Sequence, residues 1–535
     1  VYIVTKTTDP VQDGNGVIDF TELKVSNDSE FLYLYFDTGA DINLQESNVL
    51  IYIDIDNNIN TGLPINGIGA DIIYDFGKGE GFYRRNNVNH KFKHSDWRLI
   101  SLPTVTSDRF EMAVKKRFNV GNYLIVFGSN IRIIIAHDVV SGDIIPDDTG
   151  GFLYQTNDYE YIPRSFHLNK KDERHLRVMS FNVERDRIFK NDPPFQRKIK
   201  AMQPDILCFQ EVYDNSSGDM RNKIASYFGG TWYDAKVDPD IIVVSRYPIR
   251  RFEAIGGNGA FLIDYNGTEI LIINVHFYCC DADTKRQIEA DQIMQFIRNA
   301  KNKTGSFIIK ENTPIMILGD MNFVGLNRQR KTLIEGDIFN EAAYGPDFLP
   351  DWDGSFFIDA KPVTTGFPSL FTWYNPNSSY ASGRLDYIIY SGSVINLENS
   401  YVLNTELLDA DVLNNFRLNA EDTQNASDHL PLIADFSLRD ISSMTDTPEY
   451  GENILVYPNP IYDNIFVKLC VENASSIKAR IYDTNGVKVK MQEFLHPDCN
   501  SIYSISASDL ASGLYLIGFY DEKMRMIYSE KVIKY

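Results

Sequence analysis

PDILCFQEV, residues 204–212, sets a pattern that recurs through the middle of this chain. Its apolar run 205–209 is short enough for a buried strand and leads straight into Gln210 and Glu211. Working outward, residues 176–181 lead into Asn182, ILIINV at 270–275 into His276, and PIMILG at 314–319 into Asp320 and Asn322. LDYIIY at 385–390 carries Asp386 near its start, and Asp428 and His429 stand just ahead of PLIADF at 431–436. A lone Asp at a strand end is ordinarily a turn residue. A whole set of strands delivering carboxylates, amides and imidazoles to their ends is not explained by turns. Neighbouring strand ends lie about 5 Å apart, so such residues converge on one site.

Between these runs the chain alternates strands with helices. In 284–299, Ala290, Ile293, Met294 and Ile297 recur at helical spacing and predict an apolar stripe facing a core. Residues 1–165 read differently: FLYLYF (31–36), LIYIDI (50–55), DIIYDF (71–76), 123–127 and 131–136 are separated by Gly, Asn and Asp turns. Short strands without a helical period predict a β-sandwich, similar in texture to carbohydrate-binding modules, which implies contact with glycans. The charged stretch NKKDERH (169–175) leads into the central segment 174–438. Residues 439–453 lack periodicity and read as a linker, and 454–535 is again β-rich.

Seven motifs stand in order along the central segment: SFNVE (180–184), PDILCFQEV (204–212), VVSRYPI (243–249), NVHF (274–277), GDMN (319–322), GRLDYII (383–389) and SDHLPL (427–432). Together they resemble the endonuclease/exonuclease/phosphatase superfamily. The resemblance implies a four-layer α/β/β/α sandwich with its site at one end of the paired sheets and Mg²⁺ as the usual cofactor, Mn²⁺ being an alternative. VYPNP (456–460), IYDTNG (481–486) and LASGLYL (510–516) resemble the C-terminal sorting domain of the type IX secretion system. That implies recognition by the secretion machinery and placement outside, or on the surface of, a Gram-negative cell. The expected architecture is therefore multidomain: an N-terminal β-sandwich, the central α/β/β/α sandwich and a small C-terminal β-sandwich.

Cleavage of a phosphate ester needs neutralised oxygens, an in-line water and a stabilised leaving group. Glu211 and Asp428 are hard oxygen donors suited to Mg²⁺, and Asn182 can add an amide oxygen or position a water. His429 needs a partner to fix its tautomer, and Asp386 resembles the family's carboxylate for that role. His429 is then either a base or an electrostatic contact to the phosphoryl group. Asp320 is the competing base, with Asn322 orienting water or phosphate. His276 resembles the second histidine of the secreted-deoxyribonuclease and sphingomyelinase branches, which acts at the leaving group; the abasic-site repair branch has no histidine there. Arg246 and Arg384 read as structural, and Arg286 with Glu289 as a surface ion pair at i, i+3. Aromatics at 347–352 and 371–374 are candidates to flank the substrate.

At 535 residues the chain exceeds one hydrophobic core, and 43% hydrophobic content excludes general disorder. Its net charge of −21 argues against a broad basic footprint for duplex DNA. No run is apolar and long enough to span a bilayer, and the chain opens on Val1 without a signal peptide, as in a trimmed exported form. Cys208 reads as a buried thiol, Cys279 and Cys280 are adjacent, and a Cys470–Cys499 disulfide stays open. Residues 13–22 imitate an EF-hand loop, but Val11 stands where its first ligand belongs, so a turn feeding a strand is expected. Residues 54–61 are a second candidate calcium loop. The substrate stays open among nucleic acid, a phospholipid head group of the sphingomyelinase kind and a small phosphate. The rival of another class is a surface-binding protein with a relic catalytic domain.

Overall fold

The computed structural model describes residues 4–14, 16–157, 159–160, 166–439, 454–457, 461, 464–469, 475–483, 488–497, 501–520 and 526–534. It forms two compact units, Val1–Arg439 and Asp440–Tyr535. Among the described residues no helix is long and apolar enough to cross a membrane. The expected linker (apart from Arg439) and the Cys470–Cys499 pair lie outside the described residues.

In the front of the first unit, alternation sets the architecture. Glu22–Asn27 points Leu23, Val25 and Asn27 inward and Glu22, Lys24 and Ser26 outward, as a strand with one buried face must. It belongs to a five-stranded antiparallel sheet ordered Thr5–Thr8, Glu22–Asn27, Phe31–Ile42, Ser107–Lys115 and Ile100–Leu102. A seven-stranded antiparallel sheet faces it, built around Val49–Asp54, Ile72–Asp75 and Asn130–His137. Phe20, Phe36, Ile51, Tyr74, Trp97, Phe110 and Ile133 share the core between them. Residues 13–14 and 16–21 run as bends and loop into the strand Glu22–Asn27, with no helix among these described residues.

The central segment holds two further sheets. One runs Tyr233–Val237, Ile241–Ser245, Ile206–Gln210, Leu176–Asn182, Leu432–Leu438, Ile395–Val402 and Val363–Thr364. The other runs Ile249–Ile255, Asn258–Tyr265, Thr268–His276, Ile315–Asp320, Asp386–Tyr390 and Ile358–Asp359. Val178, Ile206, Cys208 and Val243 of the first share a core with Phe261, Ile272, Met316 and Ile388 of the second. These central strands are apolar on both faces because both are covered. Ile199 and Ile224, on helices Asp192–Met202 and Ser217–Phe228, pack with Leu207 and Phe209 of the first sheet. Helix Asp283–Asn302 buries Ala290, Ile293, Met294 and Ile297 with Ile273 and Ile317 of the second, so the predicted stripe is the packing face.

Front and central segments are joined by more than the chain. Thr106 donates its N–H to Gly325 O (2.6 Å), Thr104 Oγ1 donates to Phe323 O (2.6 Å), and Arg98 pairs with Glu406 (2.8 Å). Phe31 and Ile100 of the front belong to the same buried apolar cluster as the two central sheets, Phe31 lying against Phe367.

The second unit pairs Ile454–Tyr457, Asn464–Leu469 and Ile502–Ser506 in one sheet. Lys488–Leu495, Ser476–Tyr482, Gly513–Tyr520 and Met526–Lys534 form the other. Ile465, Val467, Ile477, Ile481, Ile517 and Phe519 share its core.

Candidate active site

Strand register assembles the site. Thr268–His276 pairs in parallel with Ile315–Asp320, which pairs antiparallel with Asp386–Tyr390, so His276, Asp320 and Asp386 stand opposite one another on three adjacent strands. In the facing sheet Asn182 is opposite Gln210, and Glu211 follows at once with a positive φ of 61° that turns the chain out of the strand. The loop before Leu432–Leu438 brings in Asp428 and His429. Of these, Glu211, His276, Asp320 and His429 line a cleft of about 970 Å³.

Two imidazole–carboxylate pairs converge on Asp320. His429 Nδ1 is 2.9 Å from Asp386 Oδ2 and its Nε2 is 3.6 Å from Asp320 Oδ2. Asp386 is held in turn by the Thr372 hydroxyl at 2.7 Å. On the other side His276 Nδ1 is 2.6 Å from Asp240 Oδ2, with Nε2 3.8 Å from the same Asp320 oxygen and 3.9 Å from Glu211 Oε1. Burial alone would lower both imidazoles, but the carboxylates outweigh it: His276 is raised to about 9 and His429 to about 10. Asp320 is pushed up to about 6, by burial first and by Asp386.

The amide of Asn182 bridges the carboxylates, Nδ2 donating to Glu211 Oε1 (3.1 Å) and Asp320 Oδ2 (3.0 Å). Its Oδ1 accepts the Glu184 N–H at 3.0 Å, so Asn182 presents donors rather than an oxygen to this site. One oxygen of Asp428, Oδ2, accepts from Trp373 Nε1 at 3.1 Å. The close groups are Glu211, His276 and Asp320, and Asp320, Asp386 and His429, each offering ligand atoms within 4.8 Å of one another. Asp428 belongs to neither. As a donor set, the hard oxygens of Glu211 and Asp320 fit a small divalent cation that keeps part of its water shell. Asn322 donates to Phe277 O (2.9 Å) and its N–H to Asp320 Oδ1 (3.0 Å), which sets the carboxylate's angle.

Other expectations change in three dimensions. Arg286 and Glu289 are buried, not a surface pair: Arg286 binds Tyr278 O, Cys280 O and Val324 O, and Glu289 accepts from Asn258 and from the Tyr278 N–H. Both brace the loop after His276. Arg384 is locked to Asp359 (2.5 Å), and Arg246 stacks on Trp232 (4.4 Å). Trp352 donates to Thr313 O (2.7 Å) and packs beside the helix layer, whereas Trp373 lines the cleft with Tyr213, Tyr278 and Tyr380. Cys208 is buried, and Cys279 and Cys280 are exposed free thiols.

Sequence reasoning missed Asp240. It lies in a turn between two strands, and nothing in its local spacing separates it from other turn aspartates. It missed a wall as well: Asn43, Gln45, Glu46 and Thr104 of the front sandwich line the cleft.

Residues 179–429 match the sequence model of the Endonuclease/Exonuclease/phosphatase family, as the ordered motifs of the central segment led one to expect. Residues 455–535 match the Secretion system C-terminal sorting domain, which marks the chain as a secreted or cell-surface protein. Among solved structures the chain is similar to the human Nocturnin catalytic domain (18% identity, 49% of this chain and 94% of that one, TM-score 0.30). It is also similar to truncated TDP2 of Caenorhabditis elegans (16%, 49% and 97%, TM-score 0.33) and to an endonuclease/exonuclease/phosphatase of Beutenbergia cavernae (13%, 68% and 100%, TM-score 0.31). No curated protein matches it.

Proposed function

We propose that this protein is an exported, Mg²⁺-dependent phosphodiesterase whose central segment is a four-layer α/β/β/α sandwich. The observation that carries the reading is the convergence of His276 and His429, each backed by its own carboxylate, on Asp320 beside Glu211. Glu211 and Asp320 would hold the cation, which when bound supplies positive charge opposite the phosphoryl oxygens. Asp320 Oδ2 accepts the proton of the attacking water. His429, kept charged by Asp386, faces the phosphoryl oxygens, and His276, kept charged by Asp240, gives its Nε2 proton to the leaving oxygen. Asn182 and Asn322 fix the carboxylates between which the phosphate sits.

Cleft chemistry favours a small diester or a head group over duplex DNA. Glu46, Asp281, Asp283 and Glu289 line it against Arg185 and Arg286, which offers no basic track for a polyanion. Hydrolysis of bis(p-nitrophenyl) phosphate and of plasmid DNA, each with Mg²⁺ and with EDTA, tests the reading with His429→Ala as control. Metal-dependent cleavage of the small diester, lost in the variant, is the expected result. Plasmid cleavage would make the protein a secreted nuclease. Silence on both would overturn the enzymatic reading in favour of a relic site.

A further inference from the structure

The front sandwich gathers four aspartates, none of which lines the cleft, from two distant stretches of chain. Asp9 follows strand Thr5–Thr8, and Asp13 lies in the turn after it. Asp143 and Asp147 flank the short strand Ile144–Ile145 of the opposite sheet. One ligand oxygen from each lies within 4.8 Å of the others. The approach is tight: a Cβ on Gly14 would stand 2.5 Å from that of Asp143.

Hydrogen bonding accounts for part of the cluster and leaves one oxygen over. Asp143 accepts the N–H groups of Phe20 and Ile144, and Asp9 Oδ1 accepts the Asp147 N–H at 3.2 Å. Asp9 is 9% exposed, and its buried Oδ2 has no hydrogen-bond partner. The neighbours that act electrostatically on these groups are further carboxylates: Asp13, Asp143 and Asp147 on Asp9, Asp13 and Asp19 on Asp143, and Asp13, Asp143 and Asp148 on Asp147. Carboxylates this close repel one another, and in the absence of a metal cation they must hold protons instead.

We propose that Asp9, Asp13, Asp143 and Asp147 bind one calcium ion that ties the N-terminal strand to the opposite sheet of the front sandwich. Calcium takes six to eight oxygens at flexible angles, which suits four carboxylates with an open side, where Asp13 and Asp147 are exposed and water completes the shell. Magnesium demands a tighter octahedron and gives up water reluctantly. The site is independent of the candidate catalytic residues, none of which it contains. It also differs from the EF-hand imitation at 13–22, since half of its ligands come from residues 143 and 147.

The test is equilibrium dialysis of the EDTA-stripped full chain against Ca²⁺, with thermal melting alongside. Asp13→Asn/Asp147→Asn alters only exposed side chains, and Glu211→Gln removes the candidate catalytic ligand. The double variant is expected to bind one Ca²⁺ fewer than the wild type and to lose the rise in melting temperature that Ca²⁺ produces. Its Mg²⁺-dependent diester hydrolysis should stay within about twofold of wild type, while Glu211→Gln keeps the Ca²⁺-dependent rise. Counting the difference excludes any ion held by the separate group Asp54, Asp56 and Asp71. Equal Ca²⁺ stoichiometry in wild type and double variant, or no binding by the wild type, would overturn the proposal.

Discussion

Oδ2 of Asp240 stands 2.6 Å from Nδ1 of His276 and also accepts the main-chain N–H of Glu211 at 3.0 Å. One oxygen thus sets the angle of an imidazole and the position of a candidate metal ligand. Asp240→Asn keeps the size and removes the charge. It is expected to lower kcat by about 10²-fold with a native circular dichroism spectrum, because the wrong tautomer of His276 is then favoured. Full activity would remove His276 from the reaction.

Glu211→Ala and His429→Ala each take away charge aimed at the reacting phosphate. Steady-state hydrolysis of bis(p-nitrophenyl) phosphate should fall at least ~100-fold in both, with a native circular dichroism spectrum showing that each variant is folded. Near-normal turnover in either would displace the site.

His429 also carries a stability signature. Its folded pKa of about 10 exceeds the ordinary value of about 6.5, so the folded state holds the extra proton between those limits. The stabilisation is complete below pH 6.5 and is lost as pH rises through 10. In EDTA, the melting-temperature gap between wild type and His429→Asn should narrow across that window. A gap that widens with pH would contradict the assigned charge state.

Lys198 is fully buried, with Nζ 5.2 Å from the centroid of Phe181 and no hydrogen-bond partner, and burial pulls it down to about 7. Lys198→Met should stabilise the protein by about 1–3 kcal/mol at pH 6, where the wild type buries a charge. The gain should shrink as pH rises from 7 through 10.5, since the folded lysine is already neutral there. Chemical denaturation at pH 6 and pH 9 measures both values.

Glu46 places a negative charge from the front sandwich in the cleft wall. Glu46→Lys should lower KM for an anionic diester several-fold at low salt and leave kcat unchanged, and the effect should fade at high ionic strength. An unaltered KM would mean that this wall does not meet the substrate.

The central fold was legible because strand ends repeat one grammar: an apolar run, then Asn182, Glu211, His276 or Asp320. Burial on both sheet faces enforces the apolar run, and the open end of the sheets leaves polar residues only at its tip. Chain order alone brought His276, Asp320, Asp386 and His429 onto one list, and strand register sets them side by side. Asp428 satisfied the same grammar yet is engaged by Trp373, a partner 55 positions away that no local pattern announces. Arg286 and Glu289 had the spacing of a surface pair, but the loop after His276 folds over them and takes their hydrogen bonds.

The sequence by itself determined the β-rich front, the alternating strands and helices of the central segment with its family motifs, the sorting tail and the candidate histidines, because periodicity and ordered motifs are local properties of the chain. Tertiary structure alone decided that Asp240 backs His276, that Asn182 turns its donors to the carboxylates, and that residues 43–46 of the front sandwich wall the cleft. It also decided that Asp9 meets Asp143. Each of these joins groups distant along the chain, and their juxtaposition is fixed by sheet register and domain packing, which no short window of sequence encodes.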